Sequence, residues 1–367
     1  MSLVPKYIKD LSPYVPGKSI QDLKANHNIN KIVKLSSNEN PNGPSPLAVS
    51  EVKKNLYETN RYPDSSGYAL RNKLASINNL NIKNVILGCG SEGIMSTIIR
   101  TFLHEDDELI GSKDSFIGFK VLANASGRKI NWVSKKNYFY DLESILKKIN
   151  SNTKIIYLAN PDNPTGTYFT KTDFDNFIVK VPKRVLVILD EAYYEYAQHI
   201  KYYPDSMFYR YDNVITLRTF SKCYGLAGFR IGYGFAHDNL ISNLLKVKLP
   251  FEPSIPAQIA ALAALNDKEY LDKTLQENKD GMNYLIAKIK KYKIELIPSA
   301  ANFITIIFKN NILASKFLED MLNNGIILRG LKSFGMPSGV RISIGSKSEN
   351  EYFAEVLDNL NIDKYEL

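Results

Sequence analysis

At 367 residues with 44% hydrophobic content, the chain can fill two domains of roughly 100–200 residues each, and its longest apolar runs, Val185–Leu189 and Phe303–Phe308, fall well short of the ~20 residues of a membrane span. Two cysteines, Cys89 and Cys223, are too few for a disulfide framework, and the four histidines share no metal-ligand spacing, so no metal is expected. The formal charge of +9 is scattered along the chain, which predicts solvated faces and a field suited to small anions, with no nucleic acid and no membrane as partner.

Met1–Asp10 has lysines but no apolar stretch of the kind a secretory signal needs, and a cytoplasmic protein is expected. The chain up to Lys34 reads as irregular, and Leu35–Pro46, with three prolines and a glycine, as a turn-rich stretch too polar for a core strand. A helix over Leu47–Leu56 follows, capped by Ser45-Pro46. Strands and helices then alternate. Helices are predicted over Tyr68–Ile77, Ser91–Phe102, Phe116–Ala125, Leu142–Ile149 and Asp173–Val179. Between and after them come strands over Val85–Leu87, Glu108–Ile110, Lys129–Val133, Ile155–Leu158, Val185–Leu189, Val214–Leu217 and Phe229–Phe235. Unbroken apolar runs alternating with helices predict a mostly parallel sheet covered on both faces. Long helices fill Asn239–Lys291. The tail groups strands at Glu295–Ile297, Phe303–Ile307, Ile326–Leu328 and Val340–Ile344 with helices over Ala314–Asn323 and Glu349–Leu360, the pattern of a smaller α+β unit.

Four segments fall just beyond predicted strand ends, where an α/β protein keeps its ligand. Gly88-Cys89-Gly90-Ser91-Glu92-Gly93 opens a helix whose free N–H groups suit a phosphate, although it can equally be a plain turn. In Asn160-Pro161-Asp162-Asn163-Pro164-Thr165-Gly166, two X-Pro steps would fix Asn163 on a stiff loop. Asp190-Glu191-Ala192-Tyr193 places a carboxylate at the mouth of a buried strand, where it needs a metal, an arginine, a protonated ring nitrogen or a helix cap as partner. Thr219-Phe220-Ser221-Lys222 offers a partly desolvated lysine able to attack a carbonyl, with Arg230 eight positions on.

Taken in order, these segments resemble the fold-type I aminotransferases that use pyridoxal 5'-phosphate (PLP), over nearly the whole chain. The resemblance implies an α/β large domain with a mostly parallel sheet and a smaller α+β domain. It divides the chain into an N-terminal arm with part of the small domain (residues 1–40), a large PLP-binding domain (41–265) and a small C-terminal domain (266–367). It implies that Lys222 carries PLP as a Schiff base and moves the proton at the substrate's Cα, and that Asp190 pairs with the ring nitrogen. Tyr193 and Asn163 would bond the phenolic oxygen, Phe116 would stack on the ring, and Ser91, Glu92, Ser221 and Arg230 would hold the phosphate. Many relatives have tyrosine where Phe116 stands, so a hydroxyl is lost there while stacking is kept. Arg61-Tyr62-Pro63 also matches, which implies that Tyr62 reaches the phosphate of a second subunit in a homodimer.

Within that family the chain is most similar to the histidinol-phosphate aminotransferases, through Tyr14-Val15-Pro16-Gly17, Asn38-Glu39-Asn40-Pro41, Asn302-Phe303, Gly325–Arg329 and Arg341–Gly345. The similarity implies amino transfer between L-histidinol phosphate and 2-oxoglutarate in histidine biosynthesis. Arg341 would clamp the substrate anion, with Arg329, Tyr14, Asn38 and Asn302 nearby. An aromatic amino acid aminotransferase and a threonine-phosphate decarboxylase are the alternatives, since they use the same architecture.

Overall fold

The structure, a computed structural model, describes residues 3–13, 31–206, 212–292, 294–360 and 365. Its strands are Val33–Lys34 (β1), Val85–Gly88 (β2), Glu108–Ser112 (β3), Lys129–Val133 (β4), Thr153–Ala159 (β5), Leu186–Asp190 (β6), Val214–Thr219 (β7), Gly232–Ala236 (β8), Glu295–Ile297 (β9), Phe303–Ile307 (β10), Ile326–Ile327 (β11), Arg329–Gly330 (β12) and Gly339–Ser343 (β13). Seven of them form one sheet in the order β2-β8-β7-β6-β5-β3-β4. Within it β8 alone runs against its neighbours, and the other pairs are parallel.

Alternate residues of the central strands explain why their sequences are apolar throughout. On β6, Leu186 and Ile188 pack with helices Gly90–Phe102 and Ile117–Ala125, while Val187 and Leu189 face helix Lys171–Ile178 on the other side. β5 behaves alike, with Ile155 and Tyr157 on one face and Ile156 and Leu158 on the other. A strand buried on both faces has no use for polar alternation.

A second, antiparallel sheet has the order β12-β13-β10-β9. Helices Lys268–Lys290, Asn311–Asn323 and Lys347–Asn359 cover it through Leu285, Ile289, Phe317, Met321, Phe353 and Leu357. β1 pairs parallel with β11, which anchors the chain's beginning to this part of the molecule.

One strand boundary shifts, and one turn-rich stretch is buried. The strand expected from Phe229 starts at Gly232, because Ala227–Phe229 is a 3-10 turn and Arg230 adopts a left-handed conformation (φ 52°). Leu35–Pro46 forms no strand, as expected, yet Leu35, Ser36, Asn38, Asn40 and Ser45 are buried. Asn38 and Asn40 find partners in distant elements, Asn40 on the Cys223 carbonyl at 2.8 Å, whereas Ser36 Oγ has none among the described residues. Ser45 caps the next helix by accepting from the Ala48 N–H, with Pro46 in its first turn.

Candidate active site

One edge of the large sheet gathers the ends of β2, β3, β5, β6 and β7 and the start of β8 around a cavity of about 630 Å³. Nine residues singled out from the sequence line it: Ser91, Glu92, Phe116, Asn163, Asp190, Tyr193, Ser221, Lys222 and Arg230.

One end of the cavity is an anion cradle. Helix Gly90–Phe102 begins there with no side-chain cap on its first N–H groups, and these carry the positive end of the helix dipole. Thr219 Oγ1 donates to Ser221 Oγ at 3.0 Å, and Arg230 Nη1 reaches the same oxygen at 3.4 Å. The Arg230 Nη2 to Glu92 Oε2 distance is 3.5 Å. The helix start is seated by Gly232 on β8: a Cβ there would lie 2.5 Å from the Ser91 nitrogen, so only glycine lets the first turn pack against the strand.

Asp190, the last residue of β6, lines the same cavity. It is buried, and burial pushes its carboxyl up to about 7, against the lowering effect of its bond with Tyr157. Oδ2 accepts from the Tyr157 hydroxyl at 2.7 Å, while Oδ1 has no hydrogen-bond partner among the described residues. A buried carboxylate oxygen left without a donor is costly, so the geometry calls for a cationic or N–H-bearing ligand group.

Lys222 lines the cavity as well and is partly exposed to it. Burial, followed by the neighbouring positive charge of Arg341, lowers its ammonium pKa to about 8. Its contacts are loose: Nζ is 3.5 Å from the Ser37 carbonyl and 5.8 Å from the centre of the Tyr193 ring. Burial also raises the Tyr193 hydroxyl to about 12. Phe116 forms a wall, and Gly118 leaves it room, since a Cβ there would lie 2.5 Å from the Phe116 ring.

Behind Tyr193 and Asn163 stands a second layer. Asn38, with φ 54°, donates from Nδ2 to the Tyr193 hydroxyl at 2.9 Å, and Asn302 Nδ2 donates to the Asn38 carbonyl at 3.1 Å. Arg341 on β13 donates from Nη1 to Asn163 Oδ1 at 2.5 Å and from Nη2 to the Ser36 carbonyl at 2.8 Å. Arg329 faces Arg341 across the β12–β13 register, and both guanidinium groups sit 5.7 Å from the Phe334 ring. Tyr62 is not brought to this cavity: it is exposed and stacks on Phe251 at 4.2 Å. Tyr14 lies outside the described residues.

Residues 30–357 match the family model of aminotransferase class I and II. The chain belongs to that family. The aminotransferase is 38% identical over 354 residues to histidinol-phosphate aminotransferase 1 of Nitrosococcus oceani, covering 96% of this chain and 95% of the other. It is 38% identical over 359 residues to histidinol-phosphate aminotransferase 1 of Bacillus cereus, covering 97% and 96%. The crystal structure of histidinol-phosphate aminotransferase from Sinorhizobium meliloti, in complex with pyridoxal-5'-phosphate, superposes with a TM-score of 0.88 at 26% identity over 98% of both chains. The α/β architecture is thus that of the fold-type I aminotransferases, as the motifs imply.

Several residues that complete the aminotransferase site carry no local signal. Tyr157 is hidden in an apolar strand, where only its hydroxyl marks it as more than core. Phe334 lies between two arginines that are adjacent only through strand pairing. Thr219 could be suspected from its place at a strand end beside Ser221.

Proposed function

We propose that this aminotransferase exchanges an amino group between L-histidinol phosphate and 2-oxoglutarate, a step of histidine biosynthesis, with pyridoxal 5'-phosphate held in the cavity at Lys222. The observation that carries this is the meeting of three unlike features in one cavity: the uncapped helix start, the lysine lowered to about 8, and the open Asp190 oxygen. A molecule with a phosphate, an aldehyde and a protonated ring nitrogen meets all three. The cofactor, when bound, supplies the electron sink for chemistry at the substrate's Cα.

The protein's own groups do the rest. The helix N–H groups, Ser221 and Arg230 hold the phosphate by charge-assisted bonds. Lys222, whose pKa of about 8 leaves much of it neutral near pH 8, would be the amine that holds the cofactor's aldehyde carbon, with loss of water. The same amine, when free, would be placed to take the proton from the donor's Cα and return it. Asp190 would hold the cofactor's ring nitrogen as a carboxylate, which would satisfy Oδ1. Phe116 would cover a ring face, and Asn163 and Tyr193 would bond its phenolic oxygen. Arg341, with Arg329 beyond Phe334, offers a bidentate cation to the anionic tail of either substrate.

Exposed Tyr62, stacked on Phe251, supports the reading that a second copy receives it at its phosphate site, which makes the working unit a homodimer. Sedimentation of the loaded protein at micromolar concentration should give twice the chain mass. The substrate is tested by a half-reaction panel. Mixed singly with histidinol phosphate, phenylalanine, tyrosine or threonine phosphate, the PLP-loaded protein should convert to the pyridoxamine form fastest with histidinol phosphate, by roughly 10-fold or more. Equal or faster conversion by phenylalanine or tyrosine, or CO2 release from threonine phosphate, would overturn the assignment.

A further inference from the structure

Beneath the cavity, the loop that carries Phe116 and the loop that carries Asn163 are joined by an ion pair that the proposed reaction does not use. Lys135, just past β4, places Nζ 2.5 Å from Asp162 Oδ2, and the two side chains are 4% and 0% exposed. The same ammonium donates to the Asp114 carbonyl at 2.5 Å. Asp162 Oδ1 accepts from Ser115 Oγ at 2.6 Å and from the Tyr140 hydroxyl at 3.3 Å, and Oδ2 accepts from Thr165 Oγ1 at 2.7 Å. Asp114 and Ser115 immediately precede Phe116, and Asp162 immediately precedes Asn163.

Desolvating both charges is costly, and a packed apolar pair would hold a core together as well or better. What an apolar pair cannot do is make directional bonds to two loops at once. Here one lysine bonds both loops, and one carboxylate accepts from the lysine and from side chains of both. We propose that Lys135 and Asp162 are positioning residues: their buried pair locks the Phe116 loop to the Asn163 loop and so fixes the distance between the face and edge contacts of the cofactor ring. This rests on the reading that PLP occupies the cavity.

The test compares wild type with Lys135→Met, Asp162→Asn and the double variant. Four quantities are read: thermal stability of the cofactor-free protein, the PLP dissociation constant, the induced circular dichroism of the bound cofactor, and kcat and KM. Lys135→Met should weaken PLP binding roughly 10-fold, halve the dichroic band or more, and lower kcat roughly 10-fold, with KM for the amino donor changing less than about threefold. The double variant, which removes both charges together, should regain the stability lost in Lys135→Met but not the dichroic amplitude or kcat. That split separates positioning from plain structural support, and it can be read even if Lys135→Met does not fold. A double variant with wild-type dichroism and kcat would overturn the proposal, as would single variants that fold and bind PLP with an unchanged band. If wild type itself fails to take up PLP, it is the underlying reading that has failed.

Discussion

At the cofactor end of the cavity, nine residues arrive from the ends of adjacent strands in one sheet, and each stands in a short local segment. The residues proposed to meet the substrate, Asn38, Asn302, Arg329 and Arg341, come from the N-terminal stretch and from the second sheet and its approach, and they reach the cavity through Tyr193 and Asn163. The first arrangement inherits its precision from a sheet packed on both faces. The second depends on how two sheets meet, and it is coupled to the first through the bonds of Arg341 to Asn163 and of Asn38 to Tyr193.

Lys222→Ala should break the cofactor end most severely. Turnover should fall by roughly 1000-fold or more, since the covalent anchor and the proton carrier go together. The visible absorption of imine-bound PLP should vanish from the protein, and a variant that keeps both band and rate would remove the lysine from the site. Arg341→Ala probes the second arrangement. Losing a charge-assisted pair worth ~1.5–3 kcal/mol should lower kcat/KM by at least ~10-fold for both substrates. Unchanged kinetics would assign the anion clamp elsewhere.

Asp190→Asn sharpens the contrast by separating stability from function. The folded carboxyl has its pKa raised to about 7 from an ordinary 3.8, so its neutral form is the one the fold favours. That advantage is complete below the unfolded value and is lost as pH rises through about 7. Without cofactor, therefore, the variant should melt about 2–4 °C above wild type at pH 8. The gap between the two melting temperatures should narrow as pH falls from 7 and close only below the unfolded value of 3.8, while turnover with PLP drops. A melting difference that does not vary with pH would show that the carboxyl is not the titrating group. The smallest effect is expected of Phe116→Tyr. Stacking is retained and one hydroxyl is added, so kcat should move less than about threefold, with the cofactor's absorption maximum as the more sensitive reading.

The same contrast governs what could be read from the sequence. Glycine turns, X-Pro steps and a strand-end lysine are local, so the segments holding Ser91, Asn163, Asp190 and Lys222 could be placed before any fold was known. The alternating apolar runs likewise gave the parallel sheet, with shifts of only a few residues at element ends. Lys135 and Asp162 are far apart in sequence and meet only because their strands share a sheet, so no spacing rule reveals them. Leu35–Asn40 was legible only in part. Its polarity ruled out a core strand but did not show that Asn38 and Asn40 would direct their hydrogen bonds to Tyr193, Ser343 and Cys223 inside the protein. Phe334 owes its place between two arginines to the register of β12 on β13, which a sequence does not print.

Gly232 touches no proposed ligand, yet a single added methyl would press against the Ser91 nitrogen and lift the helix start from the sheet. Mutational scans would then score a residue on a neighbouring strand as essential for phosphate affinity, although it contributes no donor. Tolerance to substitution in this protein should therefore follow the clearance behind the anion cradle as closely as the chemistry in front of it.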